Sequence, residues 1–250
     1  MCPSEPAPIS KWPLPRFKLR TFQMDTPLLP EDKLALLRAT DLRRNWHSLD
    51  DQRVCVLCDR TITGRQIQVT REPGGTPIGE TIRELLQFAS HNSGMNPETE
   101  LLLFEASRSQ LVREVIKPAL DRGLCVIADR FFDSTTAYQG AARKLDREMV
   151  ERLNTFAIGD CIPNVTFVLD VDSATAKSRM QKPRRPDRME QEPEQFYERV
   201  REAYRELAAR EPNRIVLVDG SRDAAEIEKE IWEIISSRFP AVVAATKSKI

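Results

Sequence analysis

The 250-residue chain lacks both a net charge and a long apolar run. Lys plus Arg number 38, as do Asp plus Glu, so no global field attracts nucleic acid or membranes, and phosphate recognition must come from local clusters. No apolar stretch approaches the roughly 20 residues of a membrane helix, and the N-terminus has no basic start followed by an apolar core. These absences predict a cytoplasmic protein that binds neither nucleic acid nor membranes.

Cysteine is scarce, and its five positions are an odd number, which argues against a disulfide framework. Cys55 and Cys58 have the Cys-x-x-Cys spacing of one half of a zinc ribbon, in which two thiolates grip one side of the metal. No second pair in the sequence has matching spacing. Zinc binding at these two residues is therefore the less favoured interpretation, and the alternative is two thiols of a small hairpin.

Glycine is scarce as well, and none of the nine glycines is followed by lysine. The phosphate loop of ATP-binding kinases needs a glycine-rich turn that ends in Gly-Lys-Ser or Gly-Lys-Thr. That motif does not occur in this chain. Only Asp59 to Gly64 separate the apolar segments VCVLC and RQIQV, too few residues for a strand, phosphate loop, helix and return strand.

Composition divides the chain into four parts. Residues 1–30 form a proline-rich arm that resists regular structure. Residues 31–68 contain an amphipathic helix, Glu31–Trp46, and a hairpin of two short strands, Val54–Cys58 and Arg65–Val69. An α/β domain covers residues 69–240, and residues 241–250 are a tail.

Apolar strands alternate with helices after Thr70, which is typical of a parallel sheet covered on both faces. The predicted strands are Val126–Asp129, Val165–Val171 and Arg214–Gly220. The predicted helices are Glu98–Arg122, Asp146–Ile158, Ser173–Met180, Pro193–Arg210 and Ala224–Phe239. Their predicted caps are Asp146, Asp172, Asp223 and Gly123.

The segment TREPGGTPIGETIRELL, Thr70 to Leu86, predicts a turn that grips a substrate and leads into a helix. Gly74 and Gly75 leave no Cβ in the way of a ligand, and Thr76 or Pro77 can begin the helix. Arg71 and Pro73 lie in this turn and are candidate substrate-binding residues.

Three motifs in register resemble those of thymidylate kinases. They are the turn above, LLLFEASRSQLVREVIKPALDRG (Leu101 to Gly123) and VIADRFFDSTTAYQGAAR (Val126 to Arg143). The resemblance runs from about Thr70 to Phe239 and implies a P-loop kinase-like parallel sheet with helices on both faces. The first strand and phosphate loop are missing or replaced here. The resemblance also implies that a phosphoryl group is transferred from Mg²⁺-bound ATP to dTMP, and that the protein forms a homodimer through helices such as Glu98–Arg122.

The resemblance also implies roles for individual residues. Phe104 stacks on thymine and Arg108 bonds its carbonyl edge, while Asp129 lies near the phosphates and magnesium. Arg130 holds the dTMP phosphate, and a cis peptide precedes Pro73. Ser134, Tyr138 and Gln139 line the sugar and base. Lys177 to Glu192 resembles the lid that closes over ATP, with Arg184 and Arg185 as the arginines that neutralise the transferring phosphoryl group.

The missing phosphate loop argues against independent kinase activity, because losing even one preorganised donor typically costs roughly 100- to 1000-fold in rate. The alternative is an inactive dTMP-binding or scaffold protein that arose by gene fusion or truncation. A third possibility is that the region before residue 69 is a metal-dependent interaction module. In this fold the first strand normally lies between the strands corresponding to VIAD and VTFVLDV, so its loss would leave a gap unless another strand replaces it.

Overall fold

The computed structural model describes residues 54–58, 67–88, 94–173, 175–176 and 188–240. Several predictions lie outside these residues: the proline-rich arm 1–30, the helix Glu31–Trp46, the tail 241–250, and most of the lid with Arg184 and Arg185. The predicted helix Ser173–Met180 is described only at its start, where the Asp172 carboxylate accepts from the Thr175 amide at 2.8 Å, as a cap should.

The described strands form one sheet in the order β2-β3-β1-β4-β5. The strands are β1 (Val54–Cys58), β2 (Ile67–Arg71), β3 (Cys125–Asp129), β4 (Val165–Asp170) and β5 (Ile215–Asp219). β2 pairs with β3, and β4 with β5, in parallel. The carboxyl ends of these four strands therefore lie on one side of the sheet, called the carboxyl edge below.

β1 occupies the centre of the sheet and runs antiparallel to both neighbours. Cys55 lies opposite Asp129 of β3 on one side and Phe167 of β4 on the other. The predicted hairpin is therefore wrong, because β1 pairs with β3 and β4 and not with β2. The sheet is mixed, not entirely parallel. A strand at this place satisfies the facing N–H and C=O groups of β3 and β4, which would otherwise be two unpaired edges.

The helices cover both faces of the sheet. They are α1 (Pro77–Gln87), α2 (Pro97–Leu111), α3 (Lys117–Asp121), α4 (Phe132–Thr135), α5 (Arg147–Ile158), α6 (Glu194–Arg210) and α7 (Ala224–Arg238). A π-helical turn, Val112–Ile116, joins α2 to α3, so the predicted helix Glu98–Arg122 is one continuous helical run. A second π-helical turn, Thr136–Ala142, extends α4, and the sequence reading missed this helix. Together α4 and its turn are called the 132–142 segment.

The helix ends agree with the predicted caps. The Thr76 hydroxyl accepts from the Gly79 amide at 2.9 Å with Pro77 as the first helical residue. Asp146 and Asp223 cap α5 and α7 with their carboxylates. Gly123, at φ 76°, closes α3. Its amide and the next one donate back to carbonyls of the last turn, which is the Schellman arrangement that glycine favours.

The core has two parts because side chains of a strand alternate between faces. Val165, Phe167 and Leu169 of β4 pack with α7, whereas Val168 joins the larger cluster beneath α2, α6 and the 132–142 segment. This division buries apolar residues on both faces, as the predicted α/β class requires. Within the described residues, no helix is both long enough and apolar enough to cross a membrane.

Candidate functional site

The turn after β2 is fixed by α1 and α2. The Gly74 amide donates to Ser107 Oγ at 3.1 Å, and the Gly75 amide donates to Glu80 Oε1 at 2.8 Å. Glu80 also receives the Arg71 guanidinium at 2.9 and 3.1 Å. The Arg71 side chain, about half exposed at 53%, is therefore tied to α1 at the surface.

Glycine is required in this turn by the protein's own packing. Gly74 and Gly75 have φ angles of 127° and 78°. A Cβ on Gly75 would lie 2.5 Å from Thr70 Oγ1 and 2.7 Å from a methyl of Leu111. The sequence predicts that these glycines let a ligand approach, but at Gly75 the close neighbours belong to β2 and α2. The expected cis peptide is present between Glu72 and Pro73.

Arg108 lies at the centre of a buried polar cluster. Its side chain is 1% exposed, and both Nε and Nη2 lie 2.8 Å from Glu72 Oε2. Nη1 donates to Glu105 at 2.5 Å and to Asn154 at 3.1 Å, and Nη2 donates to Thr135 Oγ1 at 2.9 Å. These five contacts match the five N–H groups of a guanidinium. Arg108 thereby joins the turn, α2, α4 and α5.

The cluster holds two carboxyl groups for one guanidinium. Glu72 Oε1 and Glu105 Oε2 are buried and have no hydrogen-bond partner among the described residues. Burial raises the pKa of Glu72, the Arg108 charge and hydrogen bond lower it, and Glu105 raises it further, so that the pKa is about 7. One proton on Glu72 would leave a neutral cluster, with Arg108 balanced by Glu105 alone.

A second buried polar cluster is centred on Glu100, at the other end of α2. Glu100 Oε1 accepts from Gln139 Nε2 at 2.7 Å and from Arg143 Nε at 3.2 Å. Glu100 Oε2 accepts from Arg143 Nη2 at 3.0 Å and from Arg188 Nη2. Four donors thus fill the acceptor sites of one carboxylate. Arg188 also donates from Nε to the Leu86 carbonyl at 3.1 Å, which ties the end of the lid region to α1.

The charges around Glu100 keep it ionised. Burial by itself raises the pKa of this carboxyl group, but the hydrogen bonds and charges of Arg143, Arg188 and Gln139 outweigh burial and hold the pKa below its usual value. The exposed fraction of the Glu100 side chain is 1%. A buried carboxylate with two arginines and an amide is a rigid acceptor, unlike a solvated one.

Phe104 lies between the two clusters. Glu100, Phe104 and Arg108 are spaced by four residues on α2 and therefore follow one face of the helix. Arg108 bonds Thr135 and Glu100 bonds Gln139, so the 132–142 segment runs antiparallel to this face. At about 1.5 Å per residue the two clusters are roughly 12 Å apart along α2. The half-buried ring of Phe104 is flanked by fixed polar groups on both sides.

Asp129 and Arg130 lie where the sequence predicted, at the carboxyl end of β3. Asp129 is the last residue of the strand and is exposed. Arg130 adopts φ 67°, and its guanidinium carbon lies 5.2 Å from the centre of the Tyr138 ring. Tyr138 is buried and packs edge-on against Phe196 of α6, with centroids 5.9 Å apart. The Arg130 guanidinium thus lies over a ring of the 132–142 segment.

Not every predicted residue faces this site. The Ser134 hydroxyl accepts from the Tyr204 hydroxyl of α6 at 2.9 Å, in a buried contact between helices. Arg71 is tied to Glu80 on α1. Arg108 and Gln139 therefore lie where α2 contacts the 132–142 segment, with Phe104 between them along α2. Arg130 lies over the Tyr138 ring of the same segment, and the Ser134 hydroxyl faces the core.

The sequence predictions did not include the three carboxyl groups that hold these residues, Glu72 in the turn and Glu100 and Glu105 on α2. Glu100 precedes Phe104 by four residues, and Glu105 precedes Arg108 by three, so helical spacing could have placed these two glutamates beside the predicted site. No local signal identifies Asn154, because it lies on α5, 46 residues along the chain from Arg108.

A separate cavity of about 360 Å³ opens at the carboxyl ends of β4 and β5. Burial raises the pKa of Asp170 at its rim, but the hydrogen bonds of Arg201 and Arg205 outweigh burial and lower it. Arg201 Nε donates to Asp170 Oδ1 at 2.5 Å. Carboxylate and hydroxyl oxygens line this cavity together with one arginine and two apolar residues. The lining residues are Asp170, Asp172, Arg201, Leu217, Val218, Asp219 and Ser221.

Metal ligands were predicted at two places. Among the described residues, no group of three or more His, Cys, Asp and Glu side chains lies close enough to hold a metal ion. Asp129, a single exposed carboxylate, nevertheless suits Mg²⁺, which is usually held by one or two carboxylates together with substrate phosphates. β1 runs as a continuous strand through Cys55 and Cys58, without a turn between them. Zinc binding there stays a prediction.

Comparison with known proteins gives a consistent result. The family model described as thymidylate kinase matches residues 54–231, so the match begins at β1 and not near Thr70. A thymidylate kinase of Deinococcus radiodurans is 42% identical over 175 residues, covering 70% of this chain and 84% of that protein. One of Kosmotoga olearia is 47% identical over 161 residues, covering 64% and 76%. The crystal structure of thymidylate kinase from Ehrlichia chaffeensis has a TM-score of 0.54 and 32% identity, covering 68% of this chain and 80% of that one.

Proposed function

Because the chain belongs to the thymidylate kinase family over residues 54–231, we propose that it binds dTMP between α2 and the 132–142 segment and phosphorylates it with ATP. In this reaction an oxygen of the dTMP phosphate forms a bond to the γ-phosphorus of ATP. The bond from that phosphorus to the oxygen of the ADP leaving group breaks, which gives dTDP and ADP. The protein's task is positioning and charge neutralisation, since the transition state needs little covalent help.

The observation that carries this proposal is the arrangement around Phe104. A half-buried aromatic ring with fixed polar groups at both ends suits a flat base with polar edges. Gln139 and Arg108 then lie near the edge of thymine, as the resemblance implies. Arg108 has no unused donor among its five, so a thymine oxygen must displace one acceptor. The neutral acceptors Thr135 and Asn154 hold it less strongly than the carboxylates do.

Arg130 and Asp129 would serve the phosphates. Arg130 lies beside the base pocket at the carboxyl edge, and its forked donor suits the dTMP phosphate. Asp129 would bind Mg²⁺, which neutralises charge on the transferring phosphoryl group. The cavity at β4 and β5 would take the base and ribose of ATP, because its carboxylate and hydroxyl oxygens can accept hydrogen bonds from amino and hydroxyl groups. Arg184 and Arg185 of the lid would close over ATP, and such a kinase would work in the cytoplasm.

A homodimer is part of the proposal. Leu102 of α2 is 55% exposed, and Met149 and Phe156 of the neighbouring α5 are 50% and 74% exposed. Exposed apolar side chains on two adjacent helices are typical of a contact between subunits. Light scattering coupled to size exclusion should give twice the mass of 28.6 kDa, and a Phe156→Asp variant should shift the mass toward the monomer.

The decisive experiment measures dTDP and ADP formation with Mg²⁺-ATP, in the presence and absence of dTMP, at high protein concentration. We expect dTMP-dependent formation of both products in equal amounts. Arg130→Gln should lower the rate at least tenfold, whereas Arg147→Gln, at an exposed position on α5, should not change it. ADP formation that ignores dTMP would contradict the proposal.

A second candidate function, dTMP binding without phosphoryl transfer, is favoured by the direction of β1. Because β1 is antiparallel to β3, its last residue, Cys58, lies opposite Val126 at the amino end of that strand. The chain therefore leaves β1 at the edge of the sheet opposite Asp129, whereas a phosphate loop that follows a parallel first strand would lie at the same edge as Asp129. Calorimetry that detects dTMP binding by a folded sample without any dTDP formation would support this candidate over the kinase.

A further inference from the structure

Gln139 is held in one orientation by Glu100. Its Nε2 lies 2.7 Å from Glu100 Oε1, and a carboxylate oxygen with no proton can only accept. The amide nitrogen must therefore face Glu100, and the amide oxygen must face away. Rotating the amide by half a turn would set two acceptors 2.7 Å apart in a buried site and lose a charge-assisted bond.

The rest of the cluster keeps Glu100 a pure acceptor. Arg143 and Arg188 both donate to it, so protonation of this carboxyl group would remove the negative charge that pairs with both guanidinium groups. The charged groups around it are Arg143, which directly follows the 132–142 segment, Arg188 in the lid-like segment, and Glu192, which contacts Arg143 at 2.5 Å. Glu100 is therefore ionised in the folded protein near neutral pH, in agreement with its lowered pKa.

The oxygen of the Gln139 amide is left for a ligand. Within the described part of the chain no donor is bonded to Gln139 Oε1, and this atom is not one of the fully buried orphan acceptors there. Gln139 is 1% exposed, so this acceptor is nearly buried and a donor from a ligand would satisfy it. Gln139 lies on the 132–142 segment across from the face of α2 that carries Phe104, so this oxygen belongs to the proposed base pocket.

We propose that Glu100 is the positioning residue that makes Gln139 an obligatory acceptor, so that the pocket selects a pyrimidine with an N3–H donor. Thymine and uracil carry a proton on N3, whereas cytosine has a lone pair there. Cytosine would place its N3 lone pair against Gln139 Oε1, and neither acceptor would find a donor. This inference rests on the proposed function, since it assumes that dTMP occupies the pocket.

The same cluster connects base selection to the lid region. Arg188 bonds both Glu100 and the Leu86 carbonyl, and it lies near the end of the segment Lys177 to Glu192 that resembles the lid. The carboxylate that orients Gln139 therefore also binds Arg188.

The test compares the affinities of dTMP and dCMP by calorimetry in the wild type, Glu100→Gln and Glu192→Gln. We expect the wild type to prefer dTMP by roughly 5- to 150-fold, the range expected for one buried polar group left unpaired. In E100Q the new amide can either donate or accept, so Gln139 can reverse. The preference should then fall by about tenfold, and Arg108 does not confound this change because it is present in both proteins.

The Glu192→Gln variant is the matched control. It removes a carboxylate from the same Arg143 but makes no contact with Gln139, so the preference should stay within about twofold of the wild type. A folded E100Q protein that keeps the full preference for dTMP would overturn the positioning role. Equal loss of preference in E192Q would also overturn it, because charge around Arg143 would then be the cause.

A ligand variant covers the case in which E100Q does not fold. N3-methyl-dTMP lacks the N3–H donor and should bind the wild type at least tenfold more weakly than dTMP. Equal affinity would overturn the proposal without any mutation. If the folded wild type bound no dTMP at all, the proposed function itself would be overturned and this inference with it. Binding of dTMP without discrimination overturns the inference alone.

Discussion

Arg108 joins four parts of the structure, and removing it leaves two carboxyl groups buried without a cation. The family resemblance implies base recognition for this arginine, but its observed contacts are with Glu72, Glu105, Asn154 and Thr135. Its side chain is 1% exposed, and its partners Glu72 and Glu105 are 3% and 7% exposed. Stability and recognition therefore depend on the same guanidinium, and mutational tests of one must control for the other.

We predict that Arg108→Ala destabilises the protein by about 3–5 kcal/mol, because breaking a buried ion pair leaves uncompensated charge. Urea unfolding measures the loss. The control is Arg147→Ala, whose exposed pair with Glu151 should contribute less than about 1 kcal/mol. Combining R108M with E72Q and E105Q should recover most of the stability. A loss below about 1 kcal/mol for R108A would contradict the cluster, and dTMP binding should be compared in the combined variant.

Glu72 gives the molecule an unusual dependence on pH. Its folded pKa is about 7 and its ordinary value is 4.5, so between these values the folded state holds a proton that the unfolded state releases. The contribution of this proton to the free energy of unfolding is therefore complete below pH 4.5 and is lost as the pH rises through 7. The loss is on the order of 3 kcal/mol.

We predict that Glu72→Gln removes this loss. Urea unfolding at intervals from pH 4.5 to 8 should show that wild-type stability falls relative to E72Q across the window. Glu84→Gln, at an exposed position on α1, should follow the wild type and serves as the control. Parallel curves for wild type and E72Q would show that Glu72 is ionised in the folded protein at every pH tested.

At the scale of elements, β1 has the largest effect on the sheet. It pairs on both sides, with Val56 opposite Ala128 of β3 and Thr166 of β4. Without it, two apolar strands would present unpaired edges to each other across a gap, which is an aggregation hazard. The family match that begins at residue 54 includes this strand.

We predict that Val56→Pro in the full chain costs about 3 kcal/mol or more and promotes aggregation, because proline lacks the N–H and fits poorly in a central strand. Size-exclusion chromatography and urea unfolding measure both effects. Val56→Ile keeps the N–H and the strand preference and should behave like the wild type. A stable, monodisperse V56P protein would mean that β1 does not occupy the centre of the sheet.

For the whole molecule, binding of dTMP should raise thermal stability whether or not the chain transfers phosphate. At a dTMP concentration 100 times the Kd, the folded state gains about 2.7 kcal/mol. For a domain of this size the gain corresponds to a rise in Tm of roughly 5–10 °C. Thymidine at the same concentration should give a smaller shift, since it lacks the phosphate for Arg130. Equal shifts with both compounds would exclude a phosphate contact.

Local patterns in the sequence determined the regular elements from Thr70 onward. Apolar spacing placed β3, β4 and β5, while Asp146 and Asp223 marked the starts of α5 and α7. These features depend on neighbours a few residues away, so composition and spacing suffice to find them. The sequence did not predict that the 132–142 segment is helical, because its residues show no clear periodicity. Its conformation depends on packing against α2 and α6.

Only the tertiary structure decided how the distant parts meet. The sequence showed that VCVLC is a strand, but its partners and direction depend on which free edges the rest of the sheet offers. The contact between Arg108 and Glu72 spans 36 residues, Gln139 and Glu100 are 39 apart, and Arg188 and Glu100 are 88 apart. The motifs alone identified a family and candidate residues. The orientation of those residues comes from buried charges that chain folding brings together, and no local pattern encodes that geometry.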